Sequence, residues 1–224
     1  YLIRDRFGEK PLYYGWSNGV FLFGSELKAL RAYKGFNNQI DRNVLSLYMQ
    51  YMYVPTPYSI FKDVYKLEPG YILQVDESGR TRPIEKITSS VFSAQGVSIK
   101  QWYSLSSVAK RNQNNLIEDE DEAIELLEKT LLESVQSQLI SDVPLGAFLS
   151  GGIDSSMIVG LMNKISSHPV KTFTIGFEES AFNEAIYAKE VAKHLGTDHH
   201  ELYVSASDAF EVIPSLHTIY DEPF

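Results

Sequence analysis

Short runs of apolar and aromatic residues, separated by turn residues, recur in the N-terminal part of the chain, a pattern that indicates β-strands. Two such stretches, Pro11–Tyr14 and Val20–Phe23, flank Ser17-Asn18-Gly19, which is a typical hairpin turn. Short helices are predicted from Ser25 to Tyr33, with Ser25 as the candidate cap, and from Asp41 to Tyr51, with Asp41 as the start. This part of the chain is therefore predicted to be mostly β structure.

The pattern changes near Glu118, after a polar stretch at residues 84–117 that indicates a loop or linker. Apolar residues then recur every three or four positions, which predicts an amphipathic helix that extends to Leu139. The remaining predicted elements alternate between strand and helix, and this order favours a parallel sheet with helices on both faces. Beginning with a strand, they are Val143–Leu149, Ser155–Ile165, Val170–Ile175, Asn183–Leu195, His199–Val204 and Ser207–Ile213.

Composition adds several exclusions to this picture. The hydrophobic content of 44% and the charged content of 22% are those of a chain with an ordinary packed core. The net charge of -9 argues against a general nucleic-acid surface, and no apolar run reaches the roughly 18 residues of a membrane span. The chain has no cysteine, which excludes disulfides, thiolate zinc sites and a cysteine nucleophile within it. We therefore expect a cytoplasmic protein that binds small molecules and neither nucleic acid nor membrane.

The stretch Ser150-Gly151-Gly152-Ile153-Asp154-Ser155-Ser156, the SGGIDSS loop, joins a predicted strand to a predicted helix. Its glycines allow the backbone to approach a ligand closely, and the start of the helix offers unpaired N–H groups, as in the phosphate sites of α/β sheets. The lysine of the Walker phosphate loop is missing, so backbone N–H groups, hydroxyls and a metal are expected to hold the anion. Asp154 would repel phosphate directly and is therefore predicted to bind Mg²⁺.

Each candidate also has a structural alternative. The SGGIDSS loop is compatible with a Gly-Gly turn followed by an ordinary helix cap. The acidic run Glu118–Glu122 is either a metal or partner site or, as we favour, a solvated first helical turn that suits the helix dipole. His199 and His200 are either metal ligands or structural, and adjacent strand residues that face opposite sides favour the second role. Asp221 and Glu222, after a predicted strand, are a further candidate for the phosphate site.

Four segments of the sequence resemble the glutamine-hydrolysing asparagine synthetases, a family within the ATP pyrophosphatases. Arg4–Tyr14 is similar to the family's sequence late in the glutaminase domain, and Ser25–Leu30 is similar to the segment after the following hairpin. Ser141–Ser156 resembles the start of the synthetase domain. Lys171–Phe177 and then Asn183–His200 resemble the next strand and helix. The order and spacing of these segments agree with the family over nearly the whole chain.

The resemblance implies an α+β region followed by an α/β region. Residues 1–105 would form the second half of an N-terminal-nucleophile glutaminase domain with αββα layers, residues 106–119 a linker, and residues 120–224 the first part of a parallel-sheet ATP pyrophosphatase domain. Asp154 would bind the Mg²⁺, and ordinary strand core is the alternative role for Ile175. The residues that the resemblance assigns to ATP are Leu149, Ser150, Gly151, Gly152, Asp154, Ser155, Ser156, Ile175 and Gly176, the last two beside the adenine.

The reaction implied by the resemblance is ATP-dependent synthesis of asparagine. ATP would convert the side-chain carboxylate of aspartate into an aspartyl-adenylate and release pyrophosphate, and ammonia from glutamine would then displace AMP. The family's glutaminase nucleophile is an N-terminal cysteine, so no catalytic residue is assignable in this chain. The sequence begins at Tyr1 and stops at Phe224, and we expect an internal part of a longer polypeptide that is inactive alone.

Two alternative functions remain open beside asparagine synthesis. One is a related ligase of a biosynthetic cluster that amidates another carboxylic acid or closes a ring, since the sequence does not define the acceptor acid. The other is a non-enzymatic paralogue with a degenerate site, which the intact SGGIDSS loop disfavours. Assembly as a homodimer is also left open by the sequence.

Overall fold

The computed structural model describes residues 1–80, 92–177 and 183–223. The chain divides into unit 1, which consists of Tyr1–Asn114 with Ser215–Phe224, and unit 2, which consists of Asn115–Pro214. Both units combine helices with strands, so the fold is mixed α/β. Within the described ranges, no helix has both the length and the apolar character that crossing a membrane requires. Residues 81–91 of the predicted loop lie outside the described residues.

The helices and strands of the described residues are numbered in chain order. The strands are β1 (Leu2–Ile3), β2 (Tyr13–Ser17), β3 (Val20–Gly24), β4 (Val64–Lys66), β5 (Tyr71–Val75), β6 (Phe92–Ala94), β7 (Val97–Gln101), β8 (Gly146–Phe148), β9 (Lys171–Phe177) and β10 (Asp198–Val204). The helices are α1 (Leu27–Arg31), α2 (Arg42–Tyr51), α3 (Leu105–Asn112), α4 (Glu120–Gln138), α5 (Ile153–Ile165), α6 (Ala185–Leu195), α7 (Ala206–Val212) and α8 (Leu216–Ile219), with a 3₁₀ turn at Ile213–Ser215.

Unit 1 contains two antiparallel sheets, and helices pack on one of them. One sheet has the strand order β3-β2-β4, and the other has the order β1-β5-β7-β6. Neighbouring residues of β2 point to opposite faces of their sheet. Tyr14 lies in a core with Leu73 of the second sheet, whereas Tyr13 lies in a separate core with Leu27 of α1 and Val44 of α2. The order of layers is therefore helices, sheet and sheet.

Unit 2 contains a parallel sheet with the strand order β10-β9-β8, which confirms the predicted parallel pairing. Along β9, Thr172 and Thr174 are buried, whereas Phe173 and Ile175 on the opposite face are 40% and 50% exposed. Helices α5 and α6 cover the buried face through a core that includes Val159. Within the described ranges, the prediction of helices on both faces is not met, because the face that carries Phe173 and Ile175 stays partly exposed.

Local turn and cap signals were reliable guides to the helices and strands, with one exception. Strand β2 pairs with β3 across Asn18 and Gly19, whose φ angles of 49° and 76° are those of a tight hairpin turn. The Asp41 carboxylate caps α2 by accepting from the N–H groups of Asn43 and Val44. The prediction that Ser25 caps the next helix is wrong, because α1 begins two residues later and its N-cap position is Glu26.

The prediction of a loop or linker at residues 84–117 is wrong for the parts that form β6, β7 and α3, whereas residues 113–117 lie outside helices and strands as predicted. Strand β7 and helix α3 lie in this stretch, and the side chain of Ser104 caps α3 by accepting from the N–H of Ser107. Helix α3 places Leu105, Val108 and Ala109 on one side, but it is only eight residues long and buries none of them, so its apolar pattern is too short to stand out from the polar residues around it. Just after β7, Trp102 donates its indole N–H to the carbonyl of Arg4 at 3.2 Å.

Candidate functional site

The SGGIDSS loop lies at the carboxyl end of β8, and helix α5 begins inside it with Gly152 at the N-cap. Leu149 holds the end of the strand in place and is only 1% exposed. Its N–H donates to the carbonyl of Phe173 at 2.9 Å, and its own carbonyl accepts from the hydroxyl of Thr174. The predicted strand–loop–helix order is confirmed, and the loop lies where ligands bind in parallel α/β sheets.

The serine hydroxyls of the loop bond to the loop itself. The Oγ atoms of Ser150 and Ser155 are 3.0 Å apart, and the N–H of Ser150 donates to Ser155 Oγ at 3.3 Å. At the start of α5, the hydroxyl of Ser156 donates to the carbonyl of Gly152 at 2.7 Å. Because the first-turn N–H groups of a helix have no acceptor within the helix, those of α5 are directed towards the exposed side of the loop. An anion placed there meets both N–H groups and hydroxyls.

Glycine suits positions 151 and 152 of the loop for different structural reasons. Gly151 has a φ of +78°, and a Cβ atom on it would lie 2.8 Å from Ala188 N and Tyr187 C in α6. Gly152 has an ordinary φ of -74°, and the nearest atom to a Cβ there is Ser150 Oγ at 3.3 Å. Gly151 therefore allows the loop to press against α6, a contact that the sequence did not reveal. Gly152 leaves the backbone open towards a ligand, as the sequence predicts.

Asp154 lies in the first turn of α5 and is exposed. Among the described residues there is no group of three or more histidine, cysteine or carboxylate side chains that could hold a metal by themselves. A single carboxylate beside a phosphate-binding loop nevertheless fits Mg²⁺, which is usually held by one or two carboxylates with substrate phosphates and waters. The site therefore fits Mg²⁺ only if phosphate oxygens and waters supply the metal ligands that Asp154 does not.

Ile175 and Gly176 lie two and three residues beyond Phe173, the residue of β9 that pairs with the end of β8. Ile175 is 50% exposed, so the alternative of ordinary strand core is wrong in this structure. Gly176 is buried, and a Cβ atom on it would lie 2.7 Å from the ring of Tyr203 and 3.1 Å from Ala185 Cβ. The side chain of Ile175 thus remains available to a ligand, and Gly176 gives close packing on the opposite face.

Comparison with known proteins now relates this chain to known families. The asparagine synthase model matches residues 126–224, and the glutamine amidotransferase domain model matches residues 1–86. A protein of Methanocaldococcus jannaschii, provisionally described as asparagine synthetase (glutamine-hydrolysing) 2, is 37% identical over 224 residues, which are 99% of this chain and 39% of that protein. Residues 1–86 therefore have the sequence of a glutamine amidotransferase domain and residues 126–224 that of an asparagine synthase, and the whole chain is similar to part of the glutamine-hydrolysing asparagine synthetases.

Two further relatives are also similar to this chain over most of its length. Asparagine synthetase (glutamine-hydrolysing) 1 of Bacillus subtilis is 33% identical over 224 residues, which are 100% of this chain and 32% of that enzyme. The amidase chyE of Penicillium rubens is 31% identical over 211 residues, which are 88% of this chain and 28% of that protein. The chain therefore spans less than half the length of the curated relatives that it matches.

Two weaker candidates in this chain have structural roles. Asp119 caps α4 by accepting from the N–H of Glu122 at 2.8 Å, and the acidic residues that follow lie in the first turn. In β10, His199 Nδ1 lies 2.9 Å from the buried hydroxyl of Thr172, whereas the ring of His200 stacks on Phe173. The two histidines therefore face opposite sides of the sheet and do not share a metal.

Asp221 and Glu222, the further candidate for the ATP site, make their contacts within unit 1, and a part in that site stays a prediction. Both carboxylates belong to unit 1, and both are engaged there. Asp221 accepts from the N–H groups of Leu27 and Lys28, and Glu222 is paired with Lys66. These partners lie far away in the sequence, so no local signal indicated them.

The segment Arg4–Tyr14, which carries part of the family resemblance, begins with a loop organised by its own charged residues. The Asp5 carboxylate accepts from the N–H groups of Phe7, Glu9 and Lys10 at 2.9–3.2 Å. These bonds, with that of Glu9 the largest contribution, hold the pKa of Asp5 below its usual value of 3.8. The Arg4 guanidinium donates to carbonyls on both sides, including that of Leu67 at 2.6 Å. The loop is therefore a structural feature of unit 1.

Proposed function

We propose that the full-length enzyme to which this chain belongs makes asparagine from aspartate, with ATP as the activating substrate and glutamine as the source of ammonia. The observation that carries the proposal is the SGGIDSS loop at the end of β8, in a chain that matches both the asparagine synthase and the glutamine amidotransferase models. The two family matches support an amidotransferase and ligase role, and the adenylate chemistry and the acceptor acid belong to the proposal.

The loop suits the activation step because pyrophosphate leaves with a large negative charge. A carboxylate is a poor electrophile, and transfer of AMP to its oxygen gives it a good leaving group. The N–H groups at the start of α5, with the hydroxyls of Ser150, Ser155 and Ser156, hold the β and γ phosphates. The loop's own hydrogen bonds hold the three hydroxyls in place, and each of those that donates within the loop would turn its proton to a phosphate oxygen when the anion binds. The first-turn N–H groups need no such change, and preorganised donors of this kind stabilise developing charge.

Asp154 would hold Mg²⁺ against these phosphates. The metal, when bound, supplies neutralisation of charge on the leaving pyrophosphate. Asp154 itself has the task of orienting that metal beside Gly152, where the backbone is open to the phosphates. Leu149 and Ile175 would contact the nucleotide at the carboxyl ends of β8 and β9, through backbone and side chain respectively.

Isotope exchange between pyrophosphate and ATP tests the proposal in the full-length enzyme. We expect exchange that depends on aspartate and falls by about a hundredfold or more in Asp154→Ala, because the metal loses its protein ligand. Asp121→Ala is the matched control, since Asp121 is an exposed carboxylate in the first turn of another helix of unit 2. Normal exchange in Asp154→Ala would contradict the metal role, and absence of exchange with every acid would contradict the enzymatic proposal.

A second candidate is amidation of, or ring closure on, a different carboxylic acid. The relation to the amidase chyE, at 31% identity over 88% of this chain, supports keeping it. The same assay separates the two functions, because exchange that responds to another acid and not to aspartate selects the second. A cysteine at the mature N-terminus of the full-length protein would favour the use of glutamine-derived ammonia over ring closure.

A further inference from the structure

The carboxyl end of β9 is packed by a tyrosine of the neighbouring strand β10. Gly176 and Tyr203 are partners in the parallel pairing of the two strands, and each is the last residue but one of its strand. A Cβ atom on Gly176 would lie 2.7 Å from Cε1 and 2.9 Å from Cδ1 of Tyr203. The tyrosine ring therefore lies against the backbone of Gly176 and occupies the space that a side chain at position 176 would need.

The ring of Tyr203 is held in this position through its hydroxyl group, which donates to Glu201 Oε2 at 2.9 Å. Glu201 lies two residues earlier in β10, on the same face of the sheet, and its other oxygen lies 3.0 Å from Lys189 Nζ of α6. The bond to Glu201 is also the main cause that raises the pKa of Tyr203 above its usual value of 10.0, so the phenol is a neutral donor. Tyr203, Glu201 and Lys189 thus form a tyrosine brace that connects β9, β10 and α6.

The tyrosine brace packs on the part of β9 that is assigned to the adenine in the proposed function. Ile175 and Gly176 are neighbours, so a shift of the Gly176 backbone also displaces Ile175, whose side chain lies half-exposed on the opposite face. Glycine has no side chain with which to pack this strand end, and the ring of Tyr203 supplies that packing. The ion pair with Lys189, which is 65% exposed, adds little to stability. The brace is therefore suited to fixing the position of the ring more than to holding the fold.

We propose that Tyr203, fixed by Glu201, is a positioning residue for the adenine of ATP. The inference rests on the proposed function, in which the nucleotide contacts the end of β9. Tyr203 acts through Gly176 and Ile175 and does not itself touch the reacting atoms. Because the adenine contacts are the same in bound ATP and in the transition state, loss of the brace should weaken ATP binding and leave the turnover of bound ATP unchanged.

Calorimetric titration of the full-length enzyme with Mg²⁺ and α,β-methylene-ATP, which cannot be cleaved between the α and β phosphates, tests the proposal. We expect the Kd to rise about tenfold in Tyr203→Ala and about threefold in Tyr203→Phe, which keeps the ring and loses its bond. Phe210→Ala is the control with wild-type Kd, because Phe210 is an aromatic residue of unit 2 that is 70% exposed. In pyrophosphate exchange, the KM for ATP should rise by the same factors at nearly constant kcat. An unchanged Kd in Tyr203→Ala would overturn the proposal.

A second substitution, at Gly176, distinguishes positioning from a general loss of stability. Gly176→Ala alone should raise the Kd about tenfold, because the new Cβ would lie 2.7 Å from the ring of Tyr203. In Tyr203→Ala the ring is absent, and the next neighbour of the new Cβ is Ala185 Cβ at 3.1 Å. Adding Gly176→Ala to Tyr203→Ala should therefore change the Kd by less than about twofold. Multiplication of the two effects, to about a hundredfold, would contradict the role of the ring.

The bond between Tyr203 and Glu201 is tested by variants that keep the ring, and these decide if Tyr203→Ala does not fold. Glu201→Leu should match Tyr203→Phe, and the two together should have no further effect, because they remove the same bond. Glu201→Gln should restore nearly wild-type binding, since its amide oxygen still accepts from the phenol. Equal Kd values in Glu201→Leu and Glu201→Gln would refute the part of Glu201. Absence of aspartate-dependent pyrophosphate exchange in the wild type would overturn the proposed function instead, while the Kd values still decide the role of Tyr203.

Discussion

Replacement of Gly151 by alanine tests whether the SGGIDSS loop is held by packing against α6. The φ of +78° costs an alanine about 1–2 kcal/mol, since left-handed backbone crowds a Cβ atom. The added Cβ would also lie 2.8 Å from backbone atoms of Tyr187 and Ala188, and such overpacking costs about 1–3 kcal/mol more. We therefore expect Gly151→Ala to destabilise the contact between the loop and α6 by about 2–5 kcal/mol.

Gly152→Ala is the matched control, one residue away. Its φ of -74° suits alanine, and the nearest neighbour of the new Cβ is the movable Ser150 hydroxyl at 3.3 Å. The expected loss is about 1 kcal/mol or less, which is the cost of a poorer N-cap residue.

Native-state hydrogen exchange over peptides of α5 and α6 measures both variants. Exchange should accelerate by about 30-fold or more in Gly151→Ala, and by about fivefold or less in Gly152→Ala. Aspartate-dependent pyrophosphate exchange should be lost in both, because Gly151→Ala displaces the loop and the Cβ of Gly152→Ala occupies the open space proposed for the phosphates. Equal protection of α5 and α6 in the two variants would refute the packing role of Gly151.

Three further predictions concern stability. Thr172→Val should lower the free energy of unfolding by about 1–3 kcal/mol in urea titrations, since the fully buried hydroxyl has two side-chain partners that would lose their bond. The pKa of Asp5 is lowered from 3.8, so the contribution of its carboxylate to the stability of the fold is complete above pH 3.8 and is lost as the pH falls below that value. The difference in urea unfolding midpoint between wild type and Asp5→Asn should therefore shrink on acidification. Burial raises the pKa of Tyr65 to about 12, so the contribution of its neutral phenol to the stability of the fold is complete below pH 10 and is lost as the pH approaches 12. In a titration followed by tyrosinate absorbance, Tyr65→Phe should therefore remove one ionisation near the alkaline end.

Features set by neighbouring residues could be predicted from the sequence. The Asn18-Gly19 hairpin and the Asp41 cap follow from turn and cap chemistry within a few residues. Helix α6 ends at Gly196 in the left-handed conformation, as a glycine after a helical pattern predicts. The candidate site could also be predicted, because β8, the SGGIDSS loop and α5 follow one another directly in the chain.

Features set by distant residues could not be predicted. Ser25 was the natural local cap for α1, yet the carboxylate that caps it is that of Asp221. The need for glycine at position 151 arises from α6, more than thirty residues later in the sequence. Helix α3 was not predicted for another reason, since its apolar residues Leu105, Val108 and Ala109 span little more than one turn within a polar stretch. A sequence pattern shows which residues of a helix or strand are buried, but it does not show which distant element packs against them.

The division of tasks within the SGGIDSS loop explains how it can work without a lysine. Contact with α6 fixes Gly151, and bonds among Ser150, Gly152 and Ser155 fix the turn, so the loop is organised before an anion arrives. The helix dipole and the first-turn N–H groups then attract phosphate without a charged side chain. In the proposed function, Asp154 would hold Mg²⁺, which would supply the positive charge that the missing lysine does not. The loop would thus bind the phosphates through N–H groups and a metal instead of a basic side chain.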